Sequence, residues 1–484
     1  MSPLAARDVV ERALRSARCD ECVVIADETS SANLRWAGNT LTTNGVSRTR
    51  QLTVVAISRG RGGPVTGVVS RAGVRDDQIG AVVREAEQAA AEGSPAEDAM
   101  PLVTPGAAGQ AAPGSTAVPA GKAVPASKDV PGWDDPAGGT GISVFSAFAP
   151  ALGEAFGQAA AGGRRLYGFA EHVVTSTFLG TSAGLRLRHD QPTGKVELQA
   201  RTADMSQSAW DGASTRDFSD IDVAGMEAGL ATRLGWAKRR VDLPPGRYET
   251  LLPPSAVADL FVYLYWSAGA KDAMDGRTVF SRPGGGTRLG DQLTSLPLTL
   301  SSDPGLDRQQ CAPFVIAHAS SRQSSVFDNG LPLGRTGWIS DGRLAALTQT
   351  RATAQAAGLP VTPPIGNLAM SVAGADADLD DMIRRTTRGL LLTCLWYIRE
   401  VDPQTLLLTG LTRDGVYLVE NGEVTGAVNN FRFNESPVAV LDRIAEAGGA
   451  MDTLPREWSD WWTRAQMPPL RVDGFNMSSV SQAS

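Results

Sequence analysis

The sequence predicts an α+β protein: two N-terminal α/β units of mixed sheet and helices, then a β-rich C-terminal domain with one long buried helix. Three observations carry this. Apolar residues recur at helical spacing in a few separated segments, short alternating stretches run between them, and past Pro244-Pro245-Gly246 the chain turns to short strands punctuated by Gly, Asp and Asn. The 484 residues allow about three domains of roughly 150 residues each, and 42% hydrophobic residues supply their cores.

In the first unit, 1–97, Val9, Val10, Ala13 and Leu14 share one face of a helix over 9–17. A strand at 22–26 follows, with alternating stretches at 34–36, 41–43, 52–56 and 67–69. An Ala-rich helix over 77–91 carries Ile79, Val82, Val83 and Ala86 on one side. Residues 98–138 collapse into Ala, Pro, Gly and Ser, which bury too little apolar area to offset ordering entropy, so they read as a linker or loop. The second unit, 139–242, repeats the helix-plus-strands arrangement, with helices over 146–161 and 227–239 and strands at 170–175, 185–188 and 196–203. The third, 243–478, has turns at Ser340-Asp341-Gly342 and Glu420-Asn421-Gly422. Its long helix, 255–269, is capped by Ser255 after Pro253-Pro254. That helix is apolar nearly all round, which places it in a core or against a partner.

Charge and hydropathy exclude several classes. The 52 acidic side chains outnumber 45 basic ones, a formal charge of −7, which disfavours nucleic acid as a partner. No run of about 18 apolar residues would span a bilayer. The N-terminus lacks a basic stretch followed by an apolar core, so a cytoplasmic protein without a membrane partner is the expectation.

The candidate chemistries each have a plainer reading. Gly180-Thr181-Ser182-Ala183-Gly184 fits the spacing of a nucleophile elbow, but Leu185-Arg186-Leu187-Arg188 continues as a strand where that motif needs a helix; a hairpin turn results. Gly284-Gly285-Gly286 lacks the Lys-Ser/Thr ending of a phosphate loop. Cys19 and Cys22 follow a helix and precede a strand, the reverse of a redox pair, and no second ligand pair stands at zinc spacing. Only three histidines occur, His172, His189 and His318, none four apart on a helix. Asp259, the carboxylate of the long helix, has no second ligand or base beside it there.

The third unit resembles the TldD/TldE family (TldE is also called PmbA), homologous subunits of a cytoplasmic metallopeptidase. Pro245-Gly246-Arg247-Tyr248 leads into a strand and the helix from Ser255. Leu289-Gly290-Asp291 precedes Leu298-Thr299-Leu300-Ser301-Ser302-Asp303-Pro304. Phe327-Asp328-Asn329-Gly330-Leu331-Pro332 and Tyr417-Leu418-Val419-Glu420-Asn421-Gly422-Glu423 match further landmarks, and Gly389-Leu390-Leu391-Leu392-Thr393 and Leu470-Arg471-Val472-Asp473-Gly474 complete the series. TldD-type subunits carry His-Glu-x-x-x-His on that helix and a Cys near the C-terminus as zinc ligands. Here Val262, Tyr263 and Trp266 stand at roughly those places, and no Cys follows Cys394. The resemblance therefore implies a TldE-type subunit with no catalytic or metal-ligating residue and no cofactor of its own. It implies zinc in a TldD-like partner, a heterodimer, and peptide as substrate. Asp328, Asn329, Trp458, Trp461 and Trp462 are candidates for the cleft or the partner interface, large aromatics being frequent at interface centres; packing of the tryptophans on their own domain is the alternative. A stand-alone peptide- or regulator-binding protein is the rival reading, and an enzyme using Ser182 or Cys19/Cys22 a third.

Overall fold

The computed structural model describes residues 4–60, 62–105 and 132–482. Helix α1 (Ala6–Ser16), strands β1 (Glu21–Trp36), β2 (Leu41–Gly60) and β3 (Gly63–Ala72), and helix α2 (Ile79–Glu92) form a first series. The same series then recurs as α3 (Phe148–Ala161), β4 (Arg164–Thr181), β5 (Arg186–Thr202), β6 (Ser208–Thr215) and α4 (Val223–Trp236). The strands make one six-stranded antiparallel sheet in the order β3-β2-β1-β4-β5-β6. Its halves join through β1 and β4, in register from Val23 opposite Thr181 to Trp36 opposite Gly168. The segments 1–97 and 139–242 are thus halves of one sheet rather than separate units. Kept apart, β1 and β4 would each present an unpaired backbone edge; pairing removes both edges at once.

The strands run much longer than apolar alternation indicates. Stretches 22–26 and 34–36 both belong to β1, because residues 27–33, polar apart from Ala32, stay in the ladder. In β2, residues 43–51 do the same with mostly exposed side chains. Backbone pairing holds these portions, and it leaves no trace in hydrophobic periodicity.

One face of this sheet is covered by helices. Val24, Ala26, Leu52 and Val54 pack with Val9, Val10, Val82 and Val83; Leu34, Trp36, Leu166 and Leu198 pack with Phe148, Leu152 and Leu230. Side chains alternate along a strand, so the other face carries Val23, Ile25, Val55 and Leu179. These meet Phe314, Val326, Phe327 and Leu331 of the C-terminal domain. Leu102 and Val103 are buried in the same contact, and Trp133 sits edge-on to Phe178 at 5.6 Å. Both described flanks of the segment 98–138 are therefore docked on the fold; its residues 106–131 lie outside the described residues.

In the C-terminal domain β7 (Arg240–Val241) joins the edge of a ten-stranded sheet, and β8 (Gly246–Leu252) lies inside it between Arg388–Leu392 and Leu470–Val480. A six-stranded sheet includes β9 (Leu298–Ser302), β10 (Thr336–Ser340), β11 (Arg343–Leu344) and β12 (Leu368–Val372). Between the two sheets lies α5 (Pro254–Trp266). Its Val257, Leu260, Phe261 and Val262 pack with Leu300 and Met370 of one sheet and Leu390 and Phe433 of the other. Its all-round apolar surface is thus a core feature. The anticipated turns have positive φ at both central residues, 50° and 71° at Asp341-Gly342 and 52° and 83° at Asn421-Gly422, matching the twist of the strands they join. At Gly422 a Cβ would stand 2.7 Å from the Arg384 carbonyl, so that position requires glycine. No helix of the described residues is long and apolar enough to cross a membrane.

Candidate functional site

The end of α5 is packed with aromatic rings. Val262 is wholly buried, and Tyr263 and Trp266 close on the segment after Thr453. Trp458 lies 5.5 Å from Tyr263 and 5.2 Å from Trp266, ring centre to ring centre; Trp462 lies 6.1 Å from Trp266 and 5.6 Å from Tyr265. Indole N–H groups are committed: Trp458 Nε1 donates to the Asp259 carbonyl at 2.8 Å and Trp462 Nε1 to the Arg464 carbonyl at 3.1 Å. Of the three tryptophans weighed from sequence, Trp458 and Trp462 pack on their own domain, and Trp461 stands 72% exposed.

This constellation does not fit a zinc ion. An alkyl side chain and an indole N–H have no lone pair to give, and burial raises the pKa of Tyr263 and Tyr265 further from the phenolate a metal would need. Burial likewise raises the Asp259 carboxyl well above its ordinary range. Among the described residues, no three His, Cys, Asp or Glu side chains come together as a metal site.

Asp259 is less isolated than its helix implies. Its Oδ1 accepts the Glu457 N–H at 2.9 Å, and Oδ2 has no partner. Beside it lies Arg456, whose guanidinium is stacked between Trp210 at 5.0 Å and Trp396 at 4.4 Å. Arg456 reaches Glu197 at 3.5 Å and Asp414 at 3.7 Å, and the Asp414 side chain is only 2% exposed. Burial opposes the Arg456 charge, but Cys394, Glu197, Asp414 and Asp259 together raise its pKa. These residues come from β5, β6, α5 and three later segments, a meeting that only the fold arranges.

The face of the N-terminal sheet turned to the C-terminal domain borders a cleft of about 330 Å³, mostly apolar, with Thr175, Thr177, His189, Phe314, Ile316 and Leu333 in its wall. Thr177 Oγ1 donates to Asp27, and His318 Nε2 lies 3.2 Å from the same carboxyl group. Burial raises the Asp27 pKa and lowers that of His189, whose Nε2 meets Gln191 at 3.0 Å. His172 is enclosed by Thr140 Oγ1 and the Arg216 carbonyl. The histidines therefore serve three separate local networks.

Asp328 also lines the cleft, held by Arg351, whose Nε donates at 2.7 Å and whose backbone N–H donates at 3.1 Å. Arg351 also donates to the Pro101 carbonyl at 2.9 Å, tying down the chain before residue 106. Asn329 is buried and staples its loop, exchanging hydrogen bonds with Ala317 N–H and C=O at 2.7 and 2.9 Å.

Ser182 sits in the β4–β5 hairpin, its hydroxyl accepting the Cys22 N–H at 2.9 Å. Cys22, in β1, is buried against the covering helices and Cys19 is half-buried. The neighbouring Cys22 thiol pulls the Cys19 thiol down to about 7, whereas Cys19 and burial push Cys22 up, and burial pushes up Cys311 (to about 11) and Cys394. A small alkylating reagent at pH 7.5 is expected to modify Cys19 at least roughly tenfold faster than the other thiols, read by peptide mass spectrometry. Equal rates for all four would contradict this.

Comparison with known proteins bears on the whole chain. A family model described as the PmbA/TldA metallopeptidase C-terminal domain matches residues 245–479. No curated protein sequence matches. Among solved structures, TldE from Thermococcus kodakarensis is similar with a TM-score of 0.75 at 15% identity, covering 98% of this chain and 99% of that one. A protein from Thermotoga maritima described as a candidate modulator of DNA gyrase gives 0.72 at 14% identity, covering 97% of this chain and 99% of that one. A like-named protein from Bacteroides thetaiotaomicron gives 0.71 at 15% identity, with 98% of each chain covered. These likenesses show a shared α+β fold from end to end, and residues 245–479 carry the C-terminal domain of the PmbA/TldA metallopeptidase family.

Proposed function

We propose that this chain is the non-catalytic, TldE-like subunit of a zinc metallopeptidase heterodimer that acts in the cytoplasm on small or unfolded peptides. The observation that carries this reading is the aromatic packing of Tyr263, Trp266, Trp458 and Trp462 at the end of α5. It fills with rings the place where a TldD-type helix would present its ligands. The hydrolytic centre and its zinc then belong to a TldD-like partner, and this chain contributes the cleft between its sheet and its C-terminal domain to the enclosure around the peptide. Exposed Trp461 is a fitting contact for that partner, since a large aromatic left in solvent on a monomer is favourably covered on association.

Co-expression with a TldD-like chain bearing His-Glu-x-x-x-His tests the proposal. The expected result is a stable complex that cleaves an unstructured peptide and loses that activity to a chelator, while this chain alone retains no stoichiometric zinc and cuts nothing. Chelator-sensitive cleavage by the lone chain would overturn the assignment. Failure to associate with the TldD-like chain, with peptide binding retained, would replace it by the stand-alone binding protein.

A further inference from the structure

The cleft has a neighbour. A second, more polar cavity of about 210 Å³ is lined by Thr193, Arg216, Asp220, Arg308, Gln310 and Asp452, among others, and Arg464 is the residue that lines both. Of the other arginines on the polar cavity, Arg308 is matched by carboxylates, and Arg216 is solvent-exposed and donates to the Gln310 side chain. Arg308 pairs with Asp220 and with Asp452, and Arg351 with Asp328. Arg464 is different. Its Nε donates to the Gly366 carbonyl at 2.9 Å and its Nη1 to the Thr193 hydroxyl at 3.0 Å, and among the described residues no carboxylate makes an ion pair with it. Burial lowers its pKa, and the nearby Cys311 thiol, itself pushed up to about 11 by burial, supplies no negative charge near neutral pH. His189, on the same cleft, is kept neutral by burial and by the nearby charges of Arg464 and Arg216.

A largely desolvated guanidinium without a counter-ion is costly to keep, and it gains most from an anion that completes its planar fork of donors. Both remaining neutral partners hold it in place while leaving its charge unspent. The apolar walls on the Phe314 and Ile316 side give no reason for a highly charged ligand such as a phosphate-rich one. A single carboxylate carried on an apolar chain fits both halves of the surroundings.

We propose that Arg464 anchors the C-terminal carboxylate of an extended peptide, with its last apolar side chains in the larger cavity. The peptide nature of the ligand rests on the function proposed above, whereas the carboxylate requirement rests on Arg464 alone. The anchor makes this chain the reader of where a substrate ends. It favours short peptides and cleaved fragments over internal stretches of a folded protein, which offer no terminal carboxylate at the bottom of a cleft.

The test is calorimetric binding to the full-length chain without a partner, using three versions of one apolar pentapeptide: free acid, C-terminal amide, and amide with aspartate as last residue. The free acid is expected to bind about ten- to a hundredfold more tightly than either amide, as for a hydrogen-bonded charge pair. Arg464→Gln is expected to abolish the preference and Arg464→Lys to keep part of it. Should Arg464→Gln fail to fold, the acid–amide comparison in the unaltered chain still decides. Equal binding of acid and amide, no binding of any peptide, or equal binding of the acid and the aspartate-ended amide would each overturn the terminal-carboxylate anchor. None of these touches complex formation with a TldD-like chain; conversely, acid-selective binding without such a complex would leave the anchor standing and remove the heterodimer.

Discussion

Arg456→Ala is expected to cost about 3–5 kcal/mol of unfolding free energy, the usual penalty for taking one partner out of a buried charge cluster. The arginine holds Asp414 and Glu197 across the boundary between the N-terminal sheet and the C-terminal domain, and its stem and head are enclosed by two indoles. Alanine would leave the Asp414 side chain, 2% exposed, with only the more exposed Arg413 at 3.9 Å, and would open a void between Trp210 and Trp396. Denaturant titration measures the loss. Arg384→Ala serves as the comparison, because its i,i+3 pair with Asp381 has a 64% exposed arginine; screened pairs of this kind contribute little. A loss at Arg456 no larger than at Arg384 would contradict this expectation.

Asp259→Asn should separate the two proteins progressively with pH. Burial raises the Asp259 carboxyl well above its ordinary range in the folded chain, whereas the unfolded chain ionises near pH 4. The folded state therefore holds the proton more tightly. Stability from this group is fully present below about pH 4 and is lost as pH rises toward the raised folded value, at up to about 1.4 kcal/mol per pH unit. Asparagine keeps an oxygen for the Glu457 N–H and has no proton to lose. Relative to the variant, wild type is expected to be most stable at low pH and to fall behind as pH increases. Unfolding free energies at several pH values across that window check this, and parallel curves would contradict it. Because Arg456 stands beside Asp259, the two substitutions should not be additive.

What the sequence made legible follows a physical division. Helices α1, α2 and α5 announce themselves because burial of one face, or of all faces, imposes a spacing on apolar residues. The Asp341-Gly342 and Asn421-Gly422 turns are legible because left-handed backbone selects those residues. The hairpin at Ser182 is legible because a strand pattern resumes directly after it. The polar middles of β1 and β2, by contrast, are held by a ladder that any residue can join. Nothing local marks the joining of β1 to β4, nor the gathering of Glu197, Trp210, Asp259, Trp396, Asp414 and Arg456 around one charge. The same holds for the cleft. Its residues can be named from sequence as types, but the lack of an acid beside Arg464 is a property of three-dimensional neighbours.

The β1–β4 seam has a consequence for how the molecule comes into being. A ribosome delivers β1 long before β4, so the emerging chain carries the apolar run Cys22 to Ala26 on a strand whose second edge stays bare throughout. Contacts between residues as remote as Val23 and Thr181 also impose a large loop-closure cost, which makes the central pairing a late and slow step. The nascent chain therefore carries an open strand edge, a site for edge-to-edge association, until translation has passed the end of β4.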